Sequence, residues 1–287
     1  MHYLAVCAIY RDEALFLQEW IEFHRLVGVE KFFLYDNLST DEHEEVLAPY
    51  LEEGIVEVTP WPDVPGQGSA YADCLERRRA DARWMAFIDI DEYLFSPTLV
   101  PVPQVLKDYE QWPGVHVNWA VFGPSGHVTP PPGLLTESYT DRAPDNHPFN
   151  RMCKCVVDPR RAIGIAAGVS VHAFDYTEGH GVDENFQPRN QRPRGQTEKS
   201  SYTRLRVNHY YMKSKEEWFG KMNAPKADTG LPRQYGAHGY DRMAADFSVV
   251  HDETILAYLP ALKEAIAAAG RRPATLSVKP FSSGALG

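Results

Sequence analysis

The stretch MAFIDIDEYLF, Met85 to Phe95, ends an apolar run in Asp89, Asp91 and Glu92. Burying an unpaired carboxylate is costly, so acids delivered from a core strand are expected to meet something cationic. On an extended chain, residues two apart share a face. Asp89 and Asp91 are therefore expected to approach one divalent ion together, with Glu92 supporting or capping the pair. Oxygen donors of this kind suit Mn2+ or Mg2+, whose remaining positions go to substrate phosphates and water. A solvated surface turn would also show a D-x-D triplet, but the apolar strand feeding this one favours the metal reading.

A second group lies in NHYYMKSKEEW, Asn208 to Trp218. A neutral His209 imidazole could complete a metal shell, while Lys213 and the start of a helix suit phosphate. His209 could equally be a satisfied core histidine, and His172 in SVHAF is a rival ligand. GQGSAYADCLERRR carries Gln67 and Tyr71, and Arg78 shares the helical face of Tyr71 and Cys74, so it is expected inside where Arg77 and Arg79 are solvated. Trp119, Phe122 and His127 flank a Gly loop, as core aromatics or as a stacking platform for a sugar ring.

The elements that would position these groups alternate. YLAVCAIY, KFFLYD, the alternating GIVEVTP and WMAFIDI read as strands. Helical patterns separate them: Glu13 to Val27, then NLSTDEHEEVLAPYL with Ser39, Thr40 or Asp41 as N-cap, then GSAYADCLERRRADA. Strand and helix in turn imply crossovers and a parallel sheet covered on both faces, with ligands at the carboxyl ends of the strands. The second half is less regular. GVHVNWAVFG, KCVV, GVSVHAF and YTRLRVNHYY read as strands, and GLLTESYTDR as a short helix. Tyr176 to Ser200 reads as a long loop, disordered or a lid. SKEEWFGKM opens with a capping box of Ser214 and Glu217, and DETILAYLPALKEAIAAAG reads as a helix with a kink at Pro260.

Composition narrows the classes. The 287 residues are 44% hydrophobic and 24% charged, ordinary for a globular chain. A net charge of -10 argues against a nucleic-acid surface. No apolar run approaches the ~20 residues of a membrane span, and no secretory leader is legible, so a cytoplasmic chain is expected, at most peripheral to the inner membrane face. Cys7, Cys74, Cys153 and Cys155 lack zinc-site spacing and read as reduced structural thiols.

Five blocks in order carry a resemblance: RDEALFLQEWIEFHRLVGVEKFFLYDNLSTD; GQGSAYADCLERRR followed by WMAFIDIDEYLF; WAVFGPSGH; KCVVDP; and NHYYMKSKEEW. Together they resemble glycosyltransferase family 92 and its bacterial family-2-like relatives, from about residue 4 to about residue 222. The family's usual KSIV reads KCVV here. The resemblance implies an α/β GT-A (Rossmann-like) fold, mostly parallel, with helices on both faces and an irregular acceptor side. It divides the chain into a transferase domain over 1–222 (nucleotide half 1–100, acceptor half 101–222, flexible loop 176–200) and a helical extension over 223–287.

It also implies a UDP-sugar donor, galactose favoured, a hydroxyl acceptor on a glycan or small molecule, inversion at the anomeric carbon, and Mn2+ or Mg2+ on Asp89 and Asp91 with His209. Asp91 would be the main ligand, with Asp89 shared between metal and ribose. Tyr10, Arg11, Glu13, Asp36, Asn37, Ser39 and Lys213 would face the nucleotide, joined by Gln67, Tyr71 and Arg78. Trp119, His127 and His172 are expected on the acceptor. An inverting transfer needs a carboxylate to take the acceptor proton. Glu137 is favoured over Asp141 and Asp145, with Asp175 further back. Alternatives are a nucleotidyltransferase, for which no basic Gly-rich loop follows the first strand; a non-catalytic nucleotide- or sugar-binding protein; and a metal-assisted hydrolase, which would need more His and Asp ligands.

Overall fold

A computed structural model describes residues 1–166, 171–189, 195–222, 229–231 and 237–269. The first half alternates as expected: β1 (His2–Tyr10), α1 (Ala14–Leu26), β2 (Lys31–Asp36), α2 (His43–Glu52), β3 (Val56–Pro60), α3 (Gln67–Arg78), β4 (Ala82–Phe87). Then come β5 (Glu92–Phe95), α4 (Val102–Leu106), β6 (Gly114–Val121), α5 (Leu135–Ser138), β7 (Asp141–Arg142), β8 (Cys153–Val157), β9 (Ala162–Ile165), β10 (Phe174–Tyr176), β11 (Val182–Asp183) and β12 (Arg206–His209). The chain continues through α6 (Lys215–Met222), α7 (Ala237–Asp246), β13 (Val250–His251) and α8 (Leu259–Ala268).

The main sheet runs β3-β2-β1-β4-β8-β6-β12-β5, with β11 beside the early half of β6. β3, β2, β1 and β4 are parallel, and β12 is parallel to β6. β8 runs antiparallel between β4 and β6, and β5 antiparallel to β12. The fold is thus α/β and mostly parallel. The carboxyl ends of β1, β2, β4, β6 and β12 share one edge, which the antiparallel β8 enters at its amino end. β1 shows why the sheet is covered twice. Its alternate residues Leu4, Val6 and Ala8 join Trp20, Leu47 and Tyr50 of α1 and α2 in one core. Ala5, Cys7 and Ile9 join Ala70, Tyr71 and Cys74 of α3 in the other. All four cysteines are unbridged and buried.

Several local expectations are corrected. Asp41 caps α1 rather than starting α2 alone: its carboxylate accepts from Ala14 N at 2.7 Å and only loosely from His43 N at 3.4 Å. Ser39 Oγ accepts from Asp12 N, and Asp12 accepts from Thr40 N, so these side chains tie the loop after β2 to the loop after β1. Pro260 begins α8, after a 3-10 turn over Thr254–Tyr258, and does not kink a helix. Of the strand expected at GVSVHAF, residues 168–170 lie outside the described residues; the strand observed there is β10, three residues long and later. The expected loop 176–200 is partly built into the fold, for Val182 pairs with Val115 of β6. Glu184 is buried and accepts from the backbone of Thr203, Arg204 and Leu205. Residues 190–194 lie outside the described residues. Among the described residues no helix is long and apolar enough to cross a membrane.

The segment carrying β13 is held by charge. Buried Asp252 meets Arg142 Nε at 2.5 Å and a terminal guanidinium nitrogen of Arg206 at 2.9 Å. Burial opposes its ionised form, but the two guanidiniums overcome this and hold its carboxyl well below the usual range. A depressed pKa adds stability above the unfolded-state pKa and loses it as pH falls toward the folded-state value. Asp252→Asn leaves two cations facing no anion, so denaturant unfolding at pH 7 should show a loss of about 3–5 kcal/mol. The deficit relative to wild type should shrink once the pH drops below the ordinary carboxylate range.

Candidate active site

β4 ends at Phe87, before the acidic triplet. Residues 89–92 form a turn, with Glu92 N donating to Asp89 O and Glu92 Oε2 accepting from Asp89 N. Helix α1 pins the turn from behind: Trp20 Nε1 donates to the carbonyls of Asp89 and Glu92. Tyr210 N, just past β12, donates to Asp91 O. The extended-chain expectation is therefore corrected. A turn rotates the two side chains apart, and each aspartate has its own partners.

Asp89 accepts from Gln67 Nε2 at 2.6 Å and Tyr71 OH at 3.3 Å, and meets Lys154 Nζ at 2.8 Å. Lys154, from β8, also lies 3.3 Å from Glu92 and is 1% exposed. Burial works against its charge, but Asp89 and Glu92 outweigh that and raise its pKa. Burial raises Glu92 far above the carboxylate range, with Lys154 opposing and the charges of Asp89 and Asp91 adding.

Asp91 pairs with Lys221 Nζ at 2.8 Å, and its other oxygen lies 3.5 Å from His209 Nε2. Burial would lift its pKa, yet Lys221 and His209 hold it well below normal. The His209 ring sits between two carboxylates, for its Nδ1 faces Glu92 Oε1 at 3.7 Å. Both of those buried atoms lack a hydrogen-bond partner among the described residues. Burial lowers the His209 pKa, with Asp91 opposing, so the ring is neutral at pH 7.

This donor set fits a hard divalent ion by two ligands. Adjacent ligands at octahedral bonds of ~2.1 Å stand about 3 Å apart, near the separation of Asp91 and His209. The Glu92 carboxyl stands behind the imidazole, on the side where a metal-bound histidine ordinarily has an outer partner, but at 3.7 Å it is not hydrogen-bonded to the ring. Among the described residues no group of three His, Cys, Asp or Glu is arranged to hold a metal, so phosphate oxygens and water would fill the other positions.

The other expected residues divide. Tyr10 is buried at the end of β1, its hydroxyl without a hydrogen-bond partner among the described residues. Glu13 lies 3.7 Å from Lys213, whose Nζ rests 3.5 Å from the centre of the Phe16 ring. Burial raises the Glu13 pKa, with Lys213 opposing. Asp36 accepts from Ser39 N, and Asn37 donates to the carbonyls of Trp61 and Asp63, shaping the Pro/Gly loop beside the site. Arg11 is exposed beside Asp12. The Trp119 ring packs tilted against His209, with centroids 4.3 Å apart, and edge-on to His172 at 5.1 Å. His172 Nδ1 lies 2.9 Å from the Cys153 carbonyl, which only accepts, so Nε2 keeps its lone pair. Burial and the Lys154 charge push the His172 pKa down to about 4.

Five expected residues have other partners. Arg78 lies at the far end of α3 from Gln67, about 16 Å along the helix. It pairs there with Glu57 and Asp81 and covers the Phe33 ring, so it is structural. Glu137 binds Lys263 at 2.7 Å near α8. Asp141 binds His251, and Asp145 binds Arg142. All three pairs are partly exposed, and they lie where β7 and the C-terminal segment meet. His127 Nε2 is engaged with the Ser138 carbonyl. Sequence reasoning missed Lys154 and Lys221. A lysine inside the apolar run CKCVV was a signal; Lys221, on a mixed helix, had none.

A mostly parallel α/β sheet gathers acids, lysines and a neutral histidine at its carboxyl edge, where open sheets of this class place their ligands. The profile of glycosyltransferase family 92 matches residues 2–230, and the chain belongs to that family. A family 92 protein of Oryza sativa subsp. japonica is 36% identical over 185 residues, covering 62% of this chain and 30% of that one. A galactan beta-1,4-galactosyltransferase of Arabidopsis thaliana is 31% identical over 106 residues, 33% of this chain and 20% of that one. The chain thus spans about a third of the length of the curated relatives it matches. The crystal structure of S. aureus TarS 1–349 in complex with UDP-GlcNAc is 15% identical over 55% of this chain and 46% of that one, at a TM-score of 0.37, too low to bear on function.

Lys154 is the cation on which the turn rests. Lys154→Met should cost about 3–5 kcal/mol in denaturant unfolding, the penalty for breaking a buried pair from one side. A loss near that of a surface pair, about 0–1 kcal/mol, would show that Asp89 and Glu92 do not need it.

Proposed function

We propose that the chain is a metal-dependent, inverting glycosyltransferase that moves a hexose, galactose favoured, from a UDP-sugar to a hydroxyl of a glycan or small acceptor. The observation that carries this reading is the Asp91–His209 pair at the sheet's carboxyl edge, flanked by Lys213 and Lys221. Family membership supports the transferase class, and the galactan galactosyltransferase relatives support galactose. Asp91 and His209 would hold Mn2+ or Mg2+, which when bound would neutralise charge on the leaving diphosphate. Lys213 would add a positive charge beside the phosphates. Gln67 and Tyr71 orient Asp89, leaving it able to accept from a ribose hydroxyl. The neutral His172, with its Nε2 lone pair, can accept a hydrogen bond from a sugar hydroxyl beside Trp119. Its low pKa suits it to positioning rather than to taking the proton.

Titration calorimetry of UDP should show binding in MnCl2 that disappears in EDTA. Asp91→Ala should weaken the Mn-dependent binding at least tenfold, about 1.4 kcal/mol, and His209→Ala about 10–100-fold. UDP binding indifferent to EDTA and to both substitutions would sink the metal-dependent reading.

A further inference from the structure

The two lysines that meet the D-x-D carboxylates differ in one respect that matters for ligand binding. Lys154 is 1% exposed and bonded to Asp89 and Glu92 at once, so it is a fixed part of the turn. Lys221 has a 31% exposed side chain and, among the described residues, a single carboxylate partner, Asp91, which is itself 9% exposed. Its ammonium also lies 5.2 Å from the centre of the Tyr211 ring, a second surface along which it can settle. A partly exposed lysine can swing to another anion where a fixed, buried one cannot, provided that the buried carboxylate it leaves gains another cation.

Lys221 also stands where a cation would have to go. It takes one oxygen of Asp91 while His209 faces the other. Helix α6 carries Lys221 near its end, and Lys213 lies just before its start, where Ser214 and Glu217 cap it reciprocally. The helix therefore lies across the acidic cluster with an ammonium at each end, Lys213 toward Glu13 and Lys221 toward Asp91. A divalent ion arriving alone at Asp91 and His209 would meet the Lys221 charge and offer it no new partner. A diphosphate arriving with the ion offers one.

Resting on the donor reading above, we propose that Lys221 is a positioning residue that exchanges Asp91 for a donor phosphate oxygen, and so makes divalent-cation binding conditional on the diphosphate. In the free protein Lys221 occupies the carboxylate. With the diphosphate bound, Asp91 passes to the ion and Lys221 to the phosphate. The two ligands then bind with positive coupling, each improving the affinity of the other by the same factor.

The test is a set of equilibrium titrations on the whole chain. Free Mn2+ is followed by electron paramagnetic resonance, and UDP binding by calorimetry, for wild type, Lys221→Met and Lys221→Arg. In wild type, UDP should tighten Mn2+ binding by a factor of about 5–150, the usual range of such coupling. In Lys221→Met, Mn2+ alone should bind about tenfold tighter and UDP in the presence of Mn2+ about tenfold weaker, within that range. Lys221→Arg should restore most of the coupling, because it keeps the charge. Opposite signs for the two ligands are the signature, since damage to the fold would weaken both. If Lys221→Met leaves either affinity unchanged, or weakens Mn2+ binding by itself, the exchange is overturned while the donor reading stands. If wild type binds neither Mn2+ nor UDP, the donor reading falls and takes the exchange with it.

Discussion

Carboxylates crowded at the end of a buried strand can stay ionised only if each is matched to a cation, and that constraint organises this molecule. Asp89 meets Lys154, Asp91 meets Lys221 and Glu13 lies by Lys213, while Glu92, raised far above the carboxylate range, stands between Lys154 and the neutral His209 ring. Removing one partner leaves a buried charge, at a cost that exceeds the worth of most single contacts. The same matching leaves the edge nearly balanced in charge before any ligand arrives. A ligand carrying both signs, a cation with a diphosphate, can replace these pairs without leaving any of them unmatched.

Helix α1 transmits this arrangement to the rest of the fold. Trp20 holds the carbonyls of the acidic turn, and the His24 ring accepts from Leu94 N in β5. Glu19 accepts from Leu135 N, Thr136 N and the Thr136 hydroxyl, fixing the start of α5. Asp41 caps the helix itself. One helix thus registers the acidic turn, the edge strand and a segment of the chain's second half against each other. Burial makes these contacts strict, because each donor would otherwise be left unsatisfied away from water.

The second half of the chain is held by a separate set of charges. Asp252 gathers Arg142 and Arg206, and Glu184 gathers the backbone ahead of β12. Between the two sets lie Trp119, His172 and His209, rings packed edge on face with two neutral imidazoles.

Much of this was legible in the chain. The β-α alternation of the first half, the buried strands and the acidic edge follow from local periodicity and from the cost of burying charge, so β1, β2, β3, β4 and the helices between them lie close to where their patterns place them. The D-x-D, His209 and Lys213 stand out because polar residues at the end of apolar strands need a reason. Lys154 alone among the site's unassigned cations left a trace, as a lysine in an apolar run. What the chain could not show was which charge meets which. The turn that separates Asp89 from Asp91, the exchange of Asp41 from one helix to another, and the pairing of Glu137 with Lys263 and of Asp141 with His251 depend on residues dozens to more than a hundred positions apart. Local pattern decides which way a side chain faces. Only the packed sheet decides what stands opposite it, because a buried charge takes whichever counter-charge the topology brings within reach.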